Sequence, residues 1–309
     1  MRSILSVLDY KDVLFDLLNF SKFLKEHKFQ ELLKGKSLGM IFEKPSTRTR
    51  VSFEVAMTQL GGHALNLSPG DLQLARGESI EDTARTLSRY VDAIMIRAKK
   101  HENLELFAEY SGVPVINGLT EREHPCQALA DLFTIREHKG FECKLVWIGD
   151  ANNVCNSLML GSSILGMDMV VSSPKKYKPR PEIFNIAKKL SKETGGKIAY
   201  IENPKEAIKD ADIVYTDVWV SMGDEEEYED RIIAFKQYQV NKDLLEHAKD
   251  DYIFMHCLPA QRGLEVTDDI IDGKNSVVFD QAENRLHTQK ALLVYVMLGR
   301  QAVRRFLHG

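Results

Sequence analysis

The sequence lacks the features that mark membrane, secreted or nucleic-acid-binding proteins. No apolar run approaches the ~18 residues that a bilayer span requires. The N-terminus has no basic stretch followed by an apolar one, so no secretory signal is expected. The formal net charge of −4 leaves no basic footprint for nucleic acid or an anionic membrane surface. We therefore expect a cytoplasmic protein.

Cysteine is scarce and scattered. The chain has 4 cysteines in 309 residues, too few for a disulfide framework. They are Cys126, Cys143, Cys155 and Cys257. No two of them have the Cys-x-x-Cys spacing of a zinc site, so free thiols and no metal centre are expected. The sequence also shows no repeat of 20–50 residues, which excludes a solenoid.

Apolar runs alternate with helix-period segments along almost the whole chain, a pattern typical of α/β proteins with largely parallel sheets. The length of 309 residues predicts about two domains. We place the boundary near Lys139-Gly140, between a first domain, residues 1–138, and a second, residues 139–287. Each domain is expected to contain a mainly parallel sheet flanked by helices.

The predicted strands are 37–42, 63–67, 93–97, 113–117, 144–149, 168–172, 197–201, 213–216, 252–255 and 277–280. The predicted helices are 46–60, 78–90, 103–110, 125–138, 153–165, 181–194, 205–211 and, as one unbroken pattern, 288–306. Ligands of open parallel sheets bind at the carboxyl ends of the strands. Polar residues that follow these strands are therefore the candidate site residues.

A turn rich in hydroxyls and arginines follows the first predicted strand. It carries Ser46, Thr47, Arg48, Thr49 and Arg50, immediately before a helical pattern. Unpaired N–H groups and the positive end of the helix dipole make such a turn a phosphate site. The alternative is simple helix capping, which needs one such side chain. Three hydroxyls interleaved with two arginines favour phosphate binding.

Three further polar residues of the first domain follow strands. Arg97 ends the strand 93–97, where it is either a solubilising cap or a clamp on an anionic or carbonyl oxygen. His124 precedes Pro125, which suits the first position of a helix, and Gln127 lies one turn further on. A histidine at a helix start is often an ordinary cap, but both side chains can face the phosphate site.

The second domain carries polar residues after two neighbouring strands. The turn 149–154 lacks the Gly-x-Gly-x-x-Gly fingerprint, which disfavours a nucleotide-dependent dehydrogenase. Its asparagines, including Asn153, offer donors for a carboxylate instead. Asp217 follows the strand 213–216, where it either caps a helix or holds an ammonium group.

Two more candidates lie near the end of the chain. Cys257 follows His256, but adjacent residues on an extended segment point to opposite sides, which disfavours a Cys–His nucleophile pair. Zinc would need further ligands at suitable spacing. Arg285 follows the predicted strand 277–280 and is a second candidate anion clamp.

Taken together, these motifs resemble those of the aspartate/ornithine transcarbamylase family. Residues 46–50 resemble the family's carbamoyl-phosphate motif, and residues 124–127 resemble its partner motif. Ser221-Met222-Gly223 after Asp217, with residues 256–259, resembles the ornithine-using branch in particular. The similarity runs in order over nearly the whole chain.

The resemblance implies two α/β domains flanking a cleft, with the C-terminal helix, residues 288–309, returning to the first domain. It implies a homotrimer or a multiple of trimers, with Gln73 on the variable loop 68–78 reaching the neighbouring subunit's phosphate site. No metal or organic cofactor is implied. Arginine biosynthesis is the implied setting, and the sequence leaves a degradative role open.

The implied reaction moves the carbamoyl group of carbamoyl phosphate to the δ-amine of L-ornithine, giving L-citrulline and phosphate. Arg97, His124 and Cys257 are the catalytic candidates. The residues implied for carbamoyl phosphate are Ser46, Thr47, Arg48, Thr49, Gln73, Arg97, His124, Gln127, Cys257, Leu258 and Arg285. Those implied for ornithine are Asn153, Asp217, Ser221 and Met222. Two alternatives remain open: another acceptor such as putrescine, and a non-catalytic sensor of phosphorylated metabolites.

Overall fold

The computed structural model describes residues 3–221 and 225–306. Contacts divide the chain into two compact units, Met1–Phe133 with Glu283–Gly309, and Thr134–Ala282. Each unit contains one parallel sheet flanked by helices, so the predicted fold class is confirmed. The division at residues 138 and 139 stays a prediction.

The sheet of the first unit has four strands in the order β2-β1-β3-β4, all parallel. These strands are β1 (Ser37–Phe42), β2 (His63–Leu67), β3 (Ala93–Arg97) and β4 (Val115–Leu119). The strand order reverses between β1 and β3, and ligands of such sheets bind at this switch point. The hydroxyl-rich turn follows β1 and Arg97 ends β3, so both lie at the switch point.

Helices flank this sheet, and the side chains of Ser46 and Ser79 cap two of them. The helices are α1 (Leu14–Glu26), α2 (Thr47–Gln59), α3 (Ile80–Leu87), α4 (His101–Tyr110) and the first part of α5 (Pro125–His138). The Ser46 hydroxyl accepts a hydrogen bond from the Thr49 N–H at 3.3 Å, which starts α2 inside the hydroxyl-rich turn. Helix α1 was not predicted, although its buried residues Leu14, Leu17 and Leu18 have helical spacing.

The sheet of the second unit has five parallel strands in the order β7-β6-β5-β8-β9. They are β5 (Lys144–Ile148), β6 (Asp168–Ser172), β7 (Ile198–Tyr200), β8 (Ile213–Thr216) and β9 (Ile253–His256). The flanking helices are α6 (Asn153–Ile164), α7 (Pro181–Thr194), α8 (Pro204–Ala207), α9 (Tyr228–Phe235), α10 (Lys242–Leu245) and α11 (Asp268–Ile271). The order reverses between β5 and β8, whose following residues include Asn153 and Asp217.

Two predictions near the C-terminus are wrong. Residues 277–280 do not form a strand: Ser276 makes one isolated parallel bridge with Phe254, and helix α12 (Val278–Leu298) begins two residues later. A short apolar run cannot be told from a buried helix start by periodicity alone. The helical pattern 288–306 is also not continuous, because Gly299, with φ 86°, separates α12 from α13 (Arg300–Arg305).

The later turns of α12 pack back on the first unit, as the resemblance implied. Lys290 is fully buried there, and its Nζ donates to three neutral oxygens. These are the carbonyl oxygens of Leu24 and Lys28, at 2.7 and 3.3 Å, and Oε1 of Gln59, at 3.0 Å. The ammonium group therefore ties α12 to the ends of α1 and α2.

Lys290 gives an expected pH dependence of stability. Burial, and secondarily the charge of Lys28, lowers the pKa of Lys290 to about 8 from an ordinary 10.5. Between these two values the unfolded chain binds more protons than the folded one, so this group makes the free energy of unfolding rise with pH. We expect the wild type to gain stability relative to Lys290→Met between pH 8 and 10 in urea titrations. A pH-independent difference would show that the buried amine keeps its ordinary pKa.

Across the described parts of the chain, no helix has the length and apolar character needed to cross a membrane.

Candidate functional site

The two arginines of the hydroxyl-rich turn differ in their exposure to solvent. Arg50 is exposed, and its Nε bonds Glu54 Oε1 at 3.1 Å along the helix surface. Arg48 is half-buried, and its charge acts on His124. The Thr49 side chain is only 1% exposed. The turn thus points Arg48 and Thr49, rather than Arg50, toward the other polar groups of the unit.

His124 lies at the centre of the polar groups of the first unit. It is buried immediately before α5, and its pKa is well below the ordinary value of 6.5. Burial is the largest cause, followed by the positive charges of Arg285, Arg97 and Arg48. The imidazole is therefore neutral near pH 7, with three guanidinium groups close enough to perturb it. Such a cluster attracts an anion.

A buried hydrogen-bond chain links three predicted residues in the first unit. Arg285 Nη1 donates to Gln127 Oε1 at 2.6 Å, and Arg285 Nη2 donates to Thr49 Oγ1 at 3.2 Å. Arg285 reaches this point from α12, not from the end of a strand as predicted. The structure therefore brings together the turn after β1, the start of α5 and α12.

Gln73 does not join this buried group. It is exposed on the short 3-10 turn Gln73–Arg76, and its carbonyl accepts a hydrogen bond from the Glu78 N–H at 3.2 Å. Its role toward a neighbouring subunit stays a prediction.

In the second unit, Asp217 and two asparagines form a polar group at the switch point. Asp217 is buried after β8, and its Oδ2 accepts from Asn152 Nδ2 at 2.7 Å. The Asn152 side chain also caps α6, accepting from the Val154 N–H at 3.0 Å. Asn153 is the first residue of α6 and is half-buried beside this group. A carboxylate and amide groups together can bind an ammonium and a carboxylate of one ligand.

The loop after Asp217 reaches Ser221, which is half-buried. Met222 lies outside the described residues, so its predicted contact with ornithine stays a prediction.

Arg231 of α9 joins two of the loops in this group, and the sequence reading missed it. Its Nη1 donates to Asp150 Oδ2 and to the Trp219 carbonyl oxygen, both at 2.9 Å. Its guanidinium also lies over the Tyr177 ring, 4.6 Å from the centroid. Arg231 thus connects the loop before Asn153 with the loop between Asp217 and Ser221. No local pattern could reveal this link, because Arg231 follows an ordinary acidic stretch.

The segment after β9 is held in a defined conformation by His256 and Glu265, both fully buried. His256 Nδ1 accepts from the Leu258 N–H at 2.9 Å, which places the imidazole proton on Nε2. Nε2 lies 3.2 Å from Glu265 Oε1, and this oxygen also accepts from the Gln261 N–H. Leu258 has φ 56°, a left-handed backbone that is strained for leucine. This arrangement fixes the carbonyls of Cys257 and Leu258.

A possible metal-ligand group also occurs in the second unit. Ligand atoms of Asp217, His256 and Cys257 all lie within 4.8 Å of one another. Spacing along the sequence could not reveal this group, because Asp217 follows β8 whereas His256 and Cys257 lie at the end of β9. Three such ligands can bind zinc, but both His256 nitrogens already take part in hydrogen bonds. Metal binding would therefore have to displace one of these bonds.

Cys126, next to the predicted histidine motif, is an inert buried thiol. Burial raises the pKa of Cys126 to about 12, partly opposed by the charge of Arg285. A neutral thiol is a poor nucleophile, so Cys126 contributes packing in this group.

Comparisons with known proteins match both halves of the chain. The family model for the carbamoyl-P binding domain of aspartate/ornithine carbamoyltransferases matches residues 2–137. The model for the Asp/Orn binding domain of the same family matches residues 141–296.

Individual relatives match over nearly their full lengths. The ornithine carbamoyltransferase of Archaeoglobus fulgidus is 55% identical over 309 residues, covering 98% of this chain and 99% of that protein. The solved ornithine carbamoyltransferase structure from Pyrococcus furiosus is 55% identical, with a TM-score of 0.93 and coverage of 97% and 98%. The anabolic enzyme structure from Campylobacter jejuni is 46% identical, with a TM-score of 0.93 and coverage of 97% and 100%. This chain therefore belongs to the aspartate/ornithine carbamoyltransferase family.

Proposed function

We propose that this protein transfers the carbamoyl group of carbamoyl phosphate to the δ-amine of L-ornithine, giving L-citrulline and phosphate. The single observation that carries the proposal is the buried polar cluster in which Arg285 donates to Gln127 and Thr49 and three arginine charges act on His124. This cluster suits a doubly charged phosphate next to a carbonyl that must be polarised. The family's two domain matches and the ornithine carbamoyltransferase relatives support the same reaction.

Carbamoyl phosphate is assigned to the first unit. Ser46, Thr47, Arg48 and Thr49 hold its phosphate at the N-terminus of α2, where N–H groups and the helix dipole favour an anion. Arg97, His124 and Thr49 polarise the carbamoyl carbonyl and stabilise the oxyanion of the tetrahedral intermediate. A neutral imidazole suits this task because it can donate a hydrogen bond without adding a charge.

The amine end of carbamoyl phosphate is assigned to Gln127 and Arg285, aided by the carbonyl oxygens of Cys257 and Leu258. The hydrogen bond between Arg285 and Gln127 at 2.6 Å supports a joint role. Phosphate is already a good leaving group, so positioning supplies most of the catalysis. The assignment requires no metal or organic cofactor.

Ornithine is assigned to the second unit. Asn153 and the backbone of Met222 take its carboxylate, Asp217 and Ser221 take its α-ammonium, and Cys257 lies near the δ-amine. The pairing of Asp217 with an asparagine at the start of α6 supports an acceptor that carries both groups. Putrescine has no carboxylate, so it is the weaker acceptor candidate.

A colour assay for ureido products tests the proposal on purified protein. Carbamoyl phosphate is combined with ornithine, putrescine or aspartate in parallel, and we expect colour with ornithine alone. Colour with another acceptor would overturn the ornithine assignment while keeping the phosphate site. Folded protein that gives no colour with any acceptor would favour the sensor alternative.

Arg231 gives a prediction about the acceptor site. Arg231→Met removes the link between Asp150 and the Trp219 carbonyl, so the two loops lose their common anchor. We expect the KM for ornithine to rise by about tenfold, corresponding to ~1.4 kcal/mol, with a KM for carbamoyl phosphate within about twofold. Steady-state kinetics with each substrate varied in turn check this.

The matched control is Arg262→Met in the same unit. Arg262 is partly exposed and pairs with Asp268 and Asp272 on the surface, so its loss should leave both KM values unchanged. Equal effects of the two substitutions would contradict a specific role for Arg231.

We also propose a homotrimer, or a multiple of trimers, which the resemblance implies, and the cytoplasmic location that the sequence features favour. Light scattering on the purified protein checks the assembly. A Gln73→Ala variant tests whether this exposed residue contributes to the phosphate site of a neighbouring subunit. If it does, the variant should use carbamoyl phosphate less well, while the mass of the assembly stays unchanged.

A further inference from the structure

Asp131 lies directly behind Gln127 on α5, and none of the roles assigned above includes it. The two residues are four positions apart and therefore share a helix face. Asp131 is fully buried, and Gln127 is 2% exposed. Gln127 Nε2 donates to Asp131 Oδ1 at 2.8 Å, while Gln127 Oε1 accepts from Arg285 Nη1 at 2.6 Å.

The two partners of Gln127 dictate which way its amide faces. A carboxylate group accepts hydrogen bonds, whereas a guanidinium group only donates them. Turning the amide by 180° would set its NH₂ against Arg285 and its oxygen against Asp131. Both contacts would then be repulsive in a buried place, so the observed orientation is the stable one.

We propose that Asp131 is a positioning residue that keeps the Gln127 oxygen directed toward the amino group of carbamoyl phosphate. This inference rests on the proposed function, and it deepens the assignment of Gln127. An amide oxygen accepts from the carbamoyl NH₂, whereas an amide NH₂ in its place would repel it. Asp131 thereby contributes to recognising the carbamoyl end of the substrate without touching it.

The energetics of burial support a specific role for this carboxylate. Burying a charged side chain costs more free energy than burying an apolar side chain of similar size. The burial of Asp131 is therefore weak evidence that this residue serves stability alone. An asparagine of the same shape would fill the space, but it can donate as well as accept, so Arg285 alone would then disfavour the turned Gln127 amide. The carboxylate can only accept, and it therefore disfavours the turned amide as well.

The first test is Asp131→Asn, with dissociation constants measured by titration calorimetry for carbamoyl phosphate and for inorganic phosphate. We expect carbamoyl phosphate to bind about twofold more weakly, because a turned Gln127 can accept from the asparagine, and about half of the molecules then lack the correctly placed amide oxygen. Inorganic phosphate lacks the carbamoyl group, and its affinity should stay unchanged. A merely structural role of Asp131 would weaken both ligands together.

The second test exchanges the donor and the acceptor. In Gln127→Glu/Asp131→Asn, the asparagine donates and the glutamate accepts, so an oxygen again faces Arg285 and the net charge of the pair is unchanged. We expect carbamoyl phosphate affinity to return to the wild-type value. Gln127→Glu alone sets two carboxylates against each other and should be impaired.

Several outcomes would overturn the inference: wild-type carbamoyl phosphate affinity in Asp131→Asn, parallel loss of both ligands, or no recovery in the double variant. Failure of both Asp131 variants to fold would also overturn it, because the exchange preserves the interaction. A wild type that binds carbamoyl phosphate but carbamoylates no acceptor contradicts the proposed reaction only.

Discussion

Arg48→Ala should lower kcat/KM for carbamoyl phosphate by about 100-fold, a loss of ~2.7 kcal/mol. An arginine can bond a phosphate through two parallel N–H groups, and hydrogen bonds to charged groups are the strong ones. Arg48 is half-buried, and its charge acts on His124, so it belongs to the cluster to which we assign the phosphate. Initial-rate kinetics with carbamoyl phosphate varied at saturating ornithine give the measurement.

Arg50→Ala is the control that the structure provides within the same turn. Arg50 is exposed and paired with Glu54, an arrangement worth only ~0.3–0.5 kcal/mol. We expect its kcat/KM within about threefold of wild type, with both variants folded by circular dichroism. Equal loss in the two variants, or less than a tenfold loss for Arg48→Ala, would mean that the phosphate site is misassigned.

The value of kcat/KM for ornithine should rise about tenfold per pH unit from pH 6 toward 9. With a reference pKa of ~10.4, only about one δ-amine in 2,500 is neutral at pH 7, and only the neutral amine can attack. His124 should not contribute to this rise. Burial and the charges of Arg285, Arg97 and Arg48 lower the pKa of His124 well below 6.5, so its titration cannot account for a rise that continues to pH 9.

The variant His124→Asn distinguishes titration of the δ-amine from titration of the imidazole. If the rise belongs to the amine, the variant should be slower at every pH, by about 100-fold for the loss of one oxyanion donor, and should keep the same slope. A flat wild-type profile would contradict attack by the neutral amine. Loss of the slope in His124→Asn would assign the titration to the imidazole instead.

The position of the hydroxyl-rich turn at the start of α2 was predictable because its information is local. Ser46, Arg48 and Thr49 are neighbours in sequence, and the helix that orients them has its own apolar stripe and its own cap. Asp131 was within reach of the same reasoning, since it follows Gln127 at helical spacing.

Other parts of the site are not revealed by any pattern in the neighbouring sequence. Arg231 contacts Asp150 and Trp219, and Glu265 contacts His256, only because the order of strands brings their loops together. Arg285 was singled out, but from a strand that is instead the start of α12. The short apolar run before Arg285 is compatible with a strand and with the start of a helix, and only packing decides between the two.

By itself, the sequence determined the fold class, the family and the residues that follow most of the strands. Alternating periodicities, caps and turn residues act over a few positions, so they can be read without knowing the fold. Tertiary structure decided which of the two arginines in the hydroxyl-rich turn joins His124, that Asp217 meets Asn152, and which way the Gln127 amide faces. Burial, charge proximity and hydrogen-bond partners depend on strand order, and residues distant in the sequence supply them.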